Sequence, residues 1–398
     1  MPVLSIALVI YLLMLPVTGM VPVLSALTAE RYPETGDLAR HAFMSMNMIG
    51  ALLAAPCAGW LSDRLGRRRA IIIGALVLNA LTLLLIAGPW PYPIMLTVRF
   101  IEGCAHMSAL SLLMTLGAEH ARRNGLAPVM GGIGAAISLG VASGAPLGGW
   151  VGSYGAELVP LAGGVLMLAL VPAAWLLLRE APATARATGS PFAALRQQKM
   201  LLVPYVFSFV DRLTVGFIVS TFSLYLASVI GLEPARIGVV MAAFLIPFSL
   251  LTWPAGWLCR HVDRFAMLLI GSLLYGIFLI VLGYTPAHGL IPVMALGGVV
   301  AALMYAPTLI LTAELAPTGH RAITMAGFNV AGSAGFACGP LLSGMLVAYS
   351  RSIGLDPYLL VFTVIAAIEI LITMALLPLW LKRRRLRKSG SSFCPDSR

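Results

Sequence analysis

Charge is scarce in this chain. Asp, Glu, Lys and Arg together make up 10% of its 398 residues, against about a quarter in soluble domains. A surface that faces water on all sides cannot be built from so few charges. Cysteine is also sparse. The five thiols, Cys57, Cys104, Cys259, Cys338 and Cys394, show neither paired nor metal-ligand spacing. Four of them lie in or at the ends of apolar runs, where cysteine packs as a small apolar side chain. Clusters of acids and histidines with metal-ligand spacing are missing, as are a P-loop, a Gly-x-Ser-x-Gly elbow and a His-Glu-x-x-His pair. These absences argue against an ATPase, a hydrolase or a metalloenzyme, so neither catalysis nor a cofactor or metal is expected. Residues 1–29 have no positively charged leader region, and their apolar run of about 25 residues is too long for a typical signal core. They read as a first membrane span that also targets the protein.

What the chain does have is apolar length. Hydrophobic residues account for 60% of it, with a mean hydropathy of +0.95. The apolar runs are about 20 residues long, the length of a membrane-crossing helix and not of a barrel strand. Twelve spans are expected, at 3–27, 39–61, 70–88, 94–117, 127–150, 157–178, 201–230, 236–258, 265–284, 290–314, 321–349 and 358–381. Arginines crowd the even-numbered loops and the tail Lys382 to Lys388, while the odd-numbered loops carry few. Lys and Arg resist translocation, so both termini are expected on the cytoplasmic side of an inner membrane. The net charge of +11 is thereby explained by topology and gives no reason to expect a nucleic-acid partner.

The chain divides near its middle. Residues 179–200 are polar and rich in Pro, Gly and Ser, and read as a cytoplasmic linker in which Phe192 to Lys199 form a short amphipathic helix. It joins a six-helix half at 1–178 to a second at 201–381, followed by a basic tail at 382–398. The halves repeat. Ala58-Gly59-Trp60-Leu61 recurs as Ala255-Gly256-Trp257-Leu258, an offset of 197. Ala118-Glu119 recurs as Ala313-Glu314, and Gly140, Gly144 and Gly149 as Gly335, Gly339 and Gly344, at an offset of 195. The expected fold is all-α and polytopic, with two pseudo-symmetric six-helix halves related by an axis along the membrane normal.

The densest charge lies between the second and third spans, at Gly59-Trp60-Leu61-Ser62-Asp63-Arg64-Leu65-Gly66-Arg67-Arg68-Arg69. Gly59 is expected to let helices approach closely. Asp63 is expected to accept hydrogen bonds from Arg67 or a helix N-terminus. Gly66 permits the tight reversal that starts the next span. The spacing Gly-x-x-x-Asp-Arg-x-Gly-Arg-Arg, filled here by Gly59, Asp63, Arg64, Gly66, Arg67 and Arg68, resembles the loop signature of the major facilitator superfamily.

Two further stretches resemble that superfamily. Gly140, Gly144, Pro146, Gly148 and Gly149 in the fifth span resemble the motif of its drug:proton antiporters, with the proline one position late and Ala145 in its slot. The eleventh span keeps the proline in register at Pro340, with Ser343 replacing a glycine. Ordinary tight helix packing accounts for these glycines equally well. In the fourth span, Arg99-x-x-Glu102-Gly103 resembles the motif Arg-x-x-Gln-Gly, with glutamate for glutamine. Arg99, Glu102 and His106 are spaced i, i+3, i+7 and share a helix face. They are either a coupling site at a wet cavity or a static ion pair.

Asp211-Arg212 stands mid-membrane in the seventh span. Consecutive helical residues diverge by about 100°, so the two need not pair with each other. The first span holds no acid, so Asp211 is either the cavity carboxylate of the second half or, equally, a structural partner to a neighbouring helix. Glu369, in the peripheral twelfth span, is expected to take a packing or interfacial role. Glu119 and Glu314, near Arg122, Arg123 and Arg321, read as a gate-side charge network or as solvated edges. The crowd Met44, Ser45, Met46, Asn47 and Met48 reads as packing before pocket.

The resemblance implies a twelve-helix secondary transporter, a monomer working by alternating access. Its partners would be a small-molecule substrate, protons and the lipid bilayer, and its action the proton-coupled efflux of a small amphipathic or drug-like compound. A dedicated exporter of an endogenous metabolite, a proton-coupled uptake symporter and a non-transporting scaffold remain as alternatives.

Overall fold

The structure, a computed structural model, describes residues 2–124, 126–180, 196, 198–317 and 321–388, without the side chains of 2, 63, 121–128, 321–323 and 382–388. The linker at 181–195 and the tail beyond 388 lie outside the described residues.

Long apolar sequence becomes helix throughout, and no strand forms among the described residues. The helices are α1 (Pro2–Gly19), α2 (Asp37–Leu65), α3 (Arg68–Ala87), α4 (Tyr92–Asn124), α5 (Leu126–Gly152) and α6 (Leu158–Leu177) in the first half. In the second half, α7 runs Leu202–Phe217 and continues through a π-helical turn, Ile218–Phe222, into Ser223–Ser228. It is followed by α8 (Pro234–Leu258), α9 (Arg264–Gly283), α10 (Leu290–Leu315), α11 (Arg321–Ser352) and α12 (Pro357–Lys388). Among the described residues, eleven stretches are long and apolar enough to cross a membrane. The remaining one, α1, departs from the continuous span expected. Its apolar helix covers Val3–Gly19, a turn follows, and a π-helical segment at Ala26–Glu30 completes the run. Pro16 and Pro22 flank that break; proline removes a ladder hydrogen bond and disfavours helix in the residue before it.

Local chemistry sets the helix ends. The Asp263 side chain accepts from the Phe265 N–H to cap α9, and Asp356 Oδ1 accepts from the N–H groups of Tyr358 and Leu359 at 2.9 Å to start α12. Gly66 ends α2 in the left-handed region, φ 62°, its N–H donating to the Ser62 carbonyl at 2.9 Å, as the reversal expected there requires. The last helix carries the basic run Lys382 to Lys388 as a continuation of α12.

Glycines let the helices pack in two equivalent halves. A Cβ on Gly140, Gly144 or Gly148 would run into Tyr11, Leu15 or Gly19 of α1. Their counterparts Gly335 and Gly339 face Phe209 and Leu213 of α7 in the same way. Gly149 and Gly344 bind the halves together, the first against Pro234 and Gly238 of α8, the second against Leu38 and His41 of α2. The 195-residue offset therefore marks a repeated structure. Further links between the halves are Ser223 Oγ to the Val21 carbonyl at 2.6 Å, Ser45 Oγ to the Ala337 carbonyl at 2.8 Å and an ion pair of Arg351 with Asp37 at 3.0 Å.

These links gather at the bundle end opposite the arginine loop. Toward the loop, Gly59, Gly131, Gly132, Gly134 and Gly256 have nothing within 4 Å of a built Cβ. A further link, Ser249 Oγ of α8 to the Ser138 carbonyl of α5 at 3.3 Å, lies nearer the middle. The close approach expected at Gly59 is absent among the described residues.

Candidate functional site

The first half holds one charge cluster at membrane depth. Gly103 of α4 sits against the Asn47 backbone of α2, and Gly50 against the Phe100 carbonyl, so these two helices approach to backbone contact. That approach brings Asn47 to the face carrying Arg99 and Glu102. Arg99 Nη1 donates to Glu102 Oε2 at 2.6 Å. The Asn47 amide donates to the same oxygen, and Asn79 Nδ2 of α3 donates to Oε1 at 3.2 Å. The Arg99 guanidinium also lies 5.0 Å from the centre of the Phe43 ring and 3.7 Å from the sulfurs of Met20 and Met44. Arg99 is 1% exposed and Glu102 is fully buried. The fourth-span face thus carries a buried ion pair with both carboxylate oxygens engaged. His106 is buried on the same helix, and its Nδ1 has no hydrogen-bond partner.

The seventh span presents two different faces. Arg212 lies toward α10 and α11. Its Nη2 donates to the Tyr305 hydroxyl at 3.3 Å, its guanidinium is 5.2 Å from that ring's centre, and a Cβ on Gly332 would meet its Cγ. Phe248 of α8 packs on Tyr305 with 5.7 Å between ring centres. Arg212 is half-buried and has no ion-pair partner among the described residues. Asp211, the preceding residue, lies within electrostatic reach of Arg212, of Tyr275 on α9 and of Glu369 on α12. Arg212 supplies the charge on the α10 side.

The arginine loop is tied down at both flanks. Arg68, buried, pairs with Glu119 at the end of α4 at 2.6 Å. The Arg69 N–H donates to Glu180, just beyond α6, at 2.8 Å, and its guanidinium lies 4.4 Å from the centre of the Trp175 ring in the last turn of α6. Arg64 lies over Trp60 at 5.3 Å, and Arg67 is exposed. In the second half Arg264 pairs with Glu314, one offset away from Arg68 and Glu119. The charge network expected around Glu119 and Glu314 thus takes its cations from the starts of α3 and α9. Arg122, Arg123, Arg321 and the carboxylate of Asp63 lie outside the described side chains.

Several partners carried no isolated sequence signal: Asn79, Tyr305, Phe248 and Tyr275. The Arg264–Glu314 pair was available from the internal repeat. Arg68 and Glu119 recur as Arg264 and Glu314 at offsets of 196 and 195.

The sequence profile of the Major Facilitator Superfamily matches residues 4–210 and again 205–393. The chain belongs to this superfamily. It is 30% identical over 323 residues to a 3-(3-hydroxy-phenyl)propionate transporter of Escherichia coli (strain K12), covering 76% of each chain. A gallate transporter of Pseudomonas putida is 33% identical over 147 residues, a match that spans 36% of this chain and 32% of that relative's length. Among solved structures, the nucleoside transporter NupG superposes with a TM-score of 0.78 at 16% identity, covering 95% of this chain and 99% of the other. At that identity the likeness shows the fold alone. The chain is thus a multi-pass membrane protein of the secondary-transporter type, built for a small-molecule substrate.

Proposed function

We propose that this protein imports an aromatic carboxylate together with protons across the inner membrane, with both termini on the cytoplasmic side. The observation that carries the reading is Arg212. A permanent cation at membrane depth is costly and needs a reason. Arg212 is half-buried, lacks a carboxylate partner among the described residues, and stands beside the aromatic rings of Tyr305 and Phe248. A guanidinium flanked by rings suits a ligand with a carboxylate at one end and an aromatic ring at the other. The named substrates of both relatives, gallate and 3-(3-hydroxyphenyl)propionate, have this chemistry.

Direction follows from charge. An inside-negative potential drives an anion outward, so export needs no proton, whereas accumulation requires cotransported protons that cancel the charge. Efflux of a drug-like compound rested on the glycine motif of α5. Packing against α1 and α8 accounts for those glycines, so nothing in them favours export.

Counterflow in proteoliposomes tests the substrate class. Unlabelled benzoate-type acids should compete with labelled 3-(3-hydroxyphenyl)propionate at least tenfold better than the matching amides. Equal competition by acid and amide would overturn the carboxylate reading.

A further inference from the structure

The fourth-span pair does not suit proton carriage in this arrangement, because Glu102 already accepts from Arg99, Asn47 and Asn79. The first span offers no acid. The second half holds a different constellation, behind α7. Glu369 is 1% exposed; its Oε1 accepts from Ser272 Oγ of α9, and its Oε2 has no partner. Ser272 Oγ also lies 2.6 Å from Thr373 Oγ1, one turn along α12. Tyr275 follows Ser272 by three residues on the same face of α9, its buried hydroxyl beside Thr214 of α7. Asp211 reaches this group from α7. Glu369 has no Arg, Lys or His within ion-pair distance among the described residues; Asp211 has none in an ion pair either, but Arg212, the next residue on α7, acts on it electrostatically.

We propose that Glu369 and Asp211 are the proton-carrying pair of this transporter, a site separate from the Arg99–Glu102 pair. The inference rests on the proton-coupled reading above. The buried Glu369 carboxyl, without a cation in ion-pair distance, is cheaper to hold as the neutral acid than as the anion, while the hydrogen bond that Ser272 donates to it favours the anion. The step moves a proton and makes no bond to substrate. A proton from external water adds to a carboxylate oxygen of the pair, crosses with the conformational change and leaves that oxygen for cytoplasmic water.

The placement links the proton to the substrate. Arg212 and Asp211 are consecutive on α7, one toward α10 and the other toward α9 and α12. A movement of α7 that closes Arg212 on a carboxylate also changes what Asp211 meets. The π-helical turn at Ile218–Phe222, a break in the regular ladder just beyond this dipeptide, gives α7 a place to flex.

The test uses the full chain in proteoliposomes with an acid-outside pH gradient and labelled 3-(3-hydroxyphenyl)propionate. Glu369→Gln and Asp211→Asn should each abolish gradient-driven accumulation, while substrate exchange at equal pH falls only a few fold. Either variant accumulating substrate like the parent would remove that residue from the pair. Should Glu369→Gln not fold, Ser272→Ala provides the readout. It removes a hydrogen bond that tells the two protonation states apart, so the pH midpoint of transport should move by roughly half a unit or more; an unmoved midpoint would overturn the site. The parent protein is the control that separates the two proposals. Parent accumulation that ignores the pH gradient overturns proton coupling itself, whereas a coupled parent with coupled variants overturns the pair alone.

Discussion

Arg212→Gln is expected to weaken binding of 3-(3-hydroxyphenyl)propionate by roughly 10- to 100-fold, the value of a hydrogen bond to a charged group or somewhat more. Glutamine keeps length and a donor but has no charge, so it isolates the electrostatic part of the contact. Arg212→Lys keeps the charge and loses the planar fork, and should recover only part of the affinity. Thermal stability should barely change in Arg212→Lys, which keeps the charge within electrostatic reach of Asp211, and should fall modestly in Arg212→Gln, which removes it. Titration of purified protein by calorimetry reads the effect. Undiminished affinity in Arg212→Gln would mean that the substrate carboxylate is held elsewhere. A matching loss for the neutral amide would mean that the variant has disturbed the cavity as a whole.

The second large effect concerns Arg99 and Glu102. Removing one partner of a buried ion pair leaves the other charge uncompensated, at about 3–5 kcal/mol. Arg99→Met should therefore lower the unfolding midpoint on the order of 5–10 °C, and Glu102→Gln should do likewise by stranding Arg99. Removing both charges together avoids the stranded ion. The double variant Arg99→Met/Glu102→Gln should regain most of the lost stability, since Asn47 and Asn79 can still bond a neutral amide. Additive losses in the double variant would show that packing around the long Arg99 side chain, and not charge compensation, dominates. Transport by the stable double variant would assign the pair to architecture. A stable double variant that binds substrate and fails to transport would restore the fourth-span face to the mechanism.

The comparison of sequence with structure divides along a physical line. Span lengths and the alternation of arginines are local properties, and they placed α2 to α12 closely. The glycine offsets were legible because a glycine needed for backbone contact leaves a mark at one position: Gly144 and Gly339 turn out to occupy matching contacts in the two halves. The Arg99–Glu102 pair was legible because both partners share one helix face three residues apart. What escaped depends on which helices meet. Tyr305 is 93 residues from Arg212, and Ser272 is 97 from Glu369; no local pattern brings them together. Asp211 and Arg212 show the limit most clearly. Helical geometry says that they diverge, but which of the two turns toward α10 is set by the packing of Gly332, Gly335 and Gly339 against α7. The break in α1 escaped because its apolar composition continues across it.

Net uptake of gallate and 3-(3-hydroxyphenyl)propionate into proteoliposomes that contain only this protein tests the central claim most directly. With an imposed acid-outside pH gradient, both acids should accumulate above their external concentration. The interior should acidify with them, and a protonophore should abolish the uphill uptake. Uptake that only equilibrates, or a gradient that instead drives preloaded substrate outward, would contradict the account.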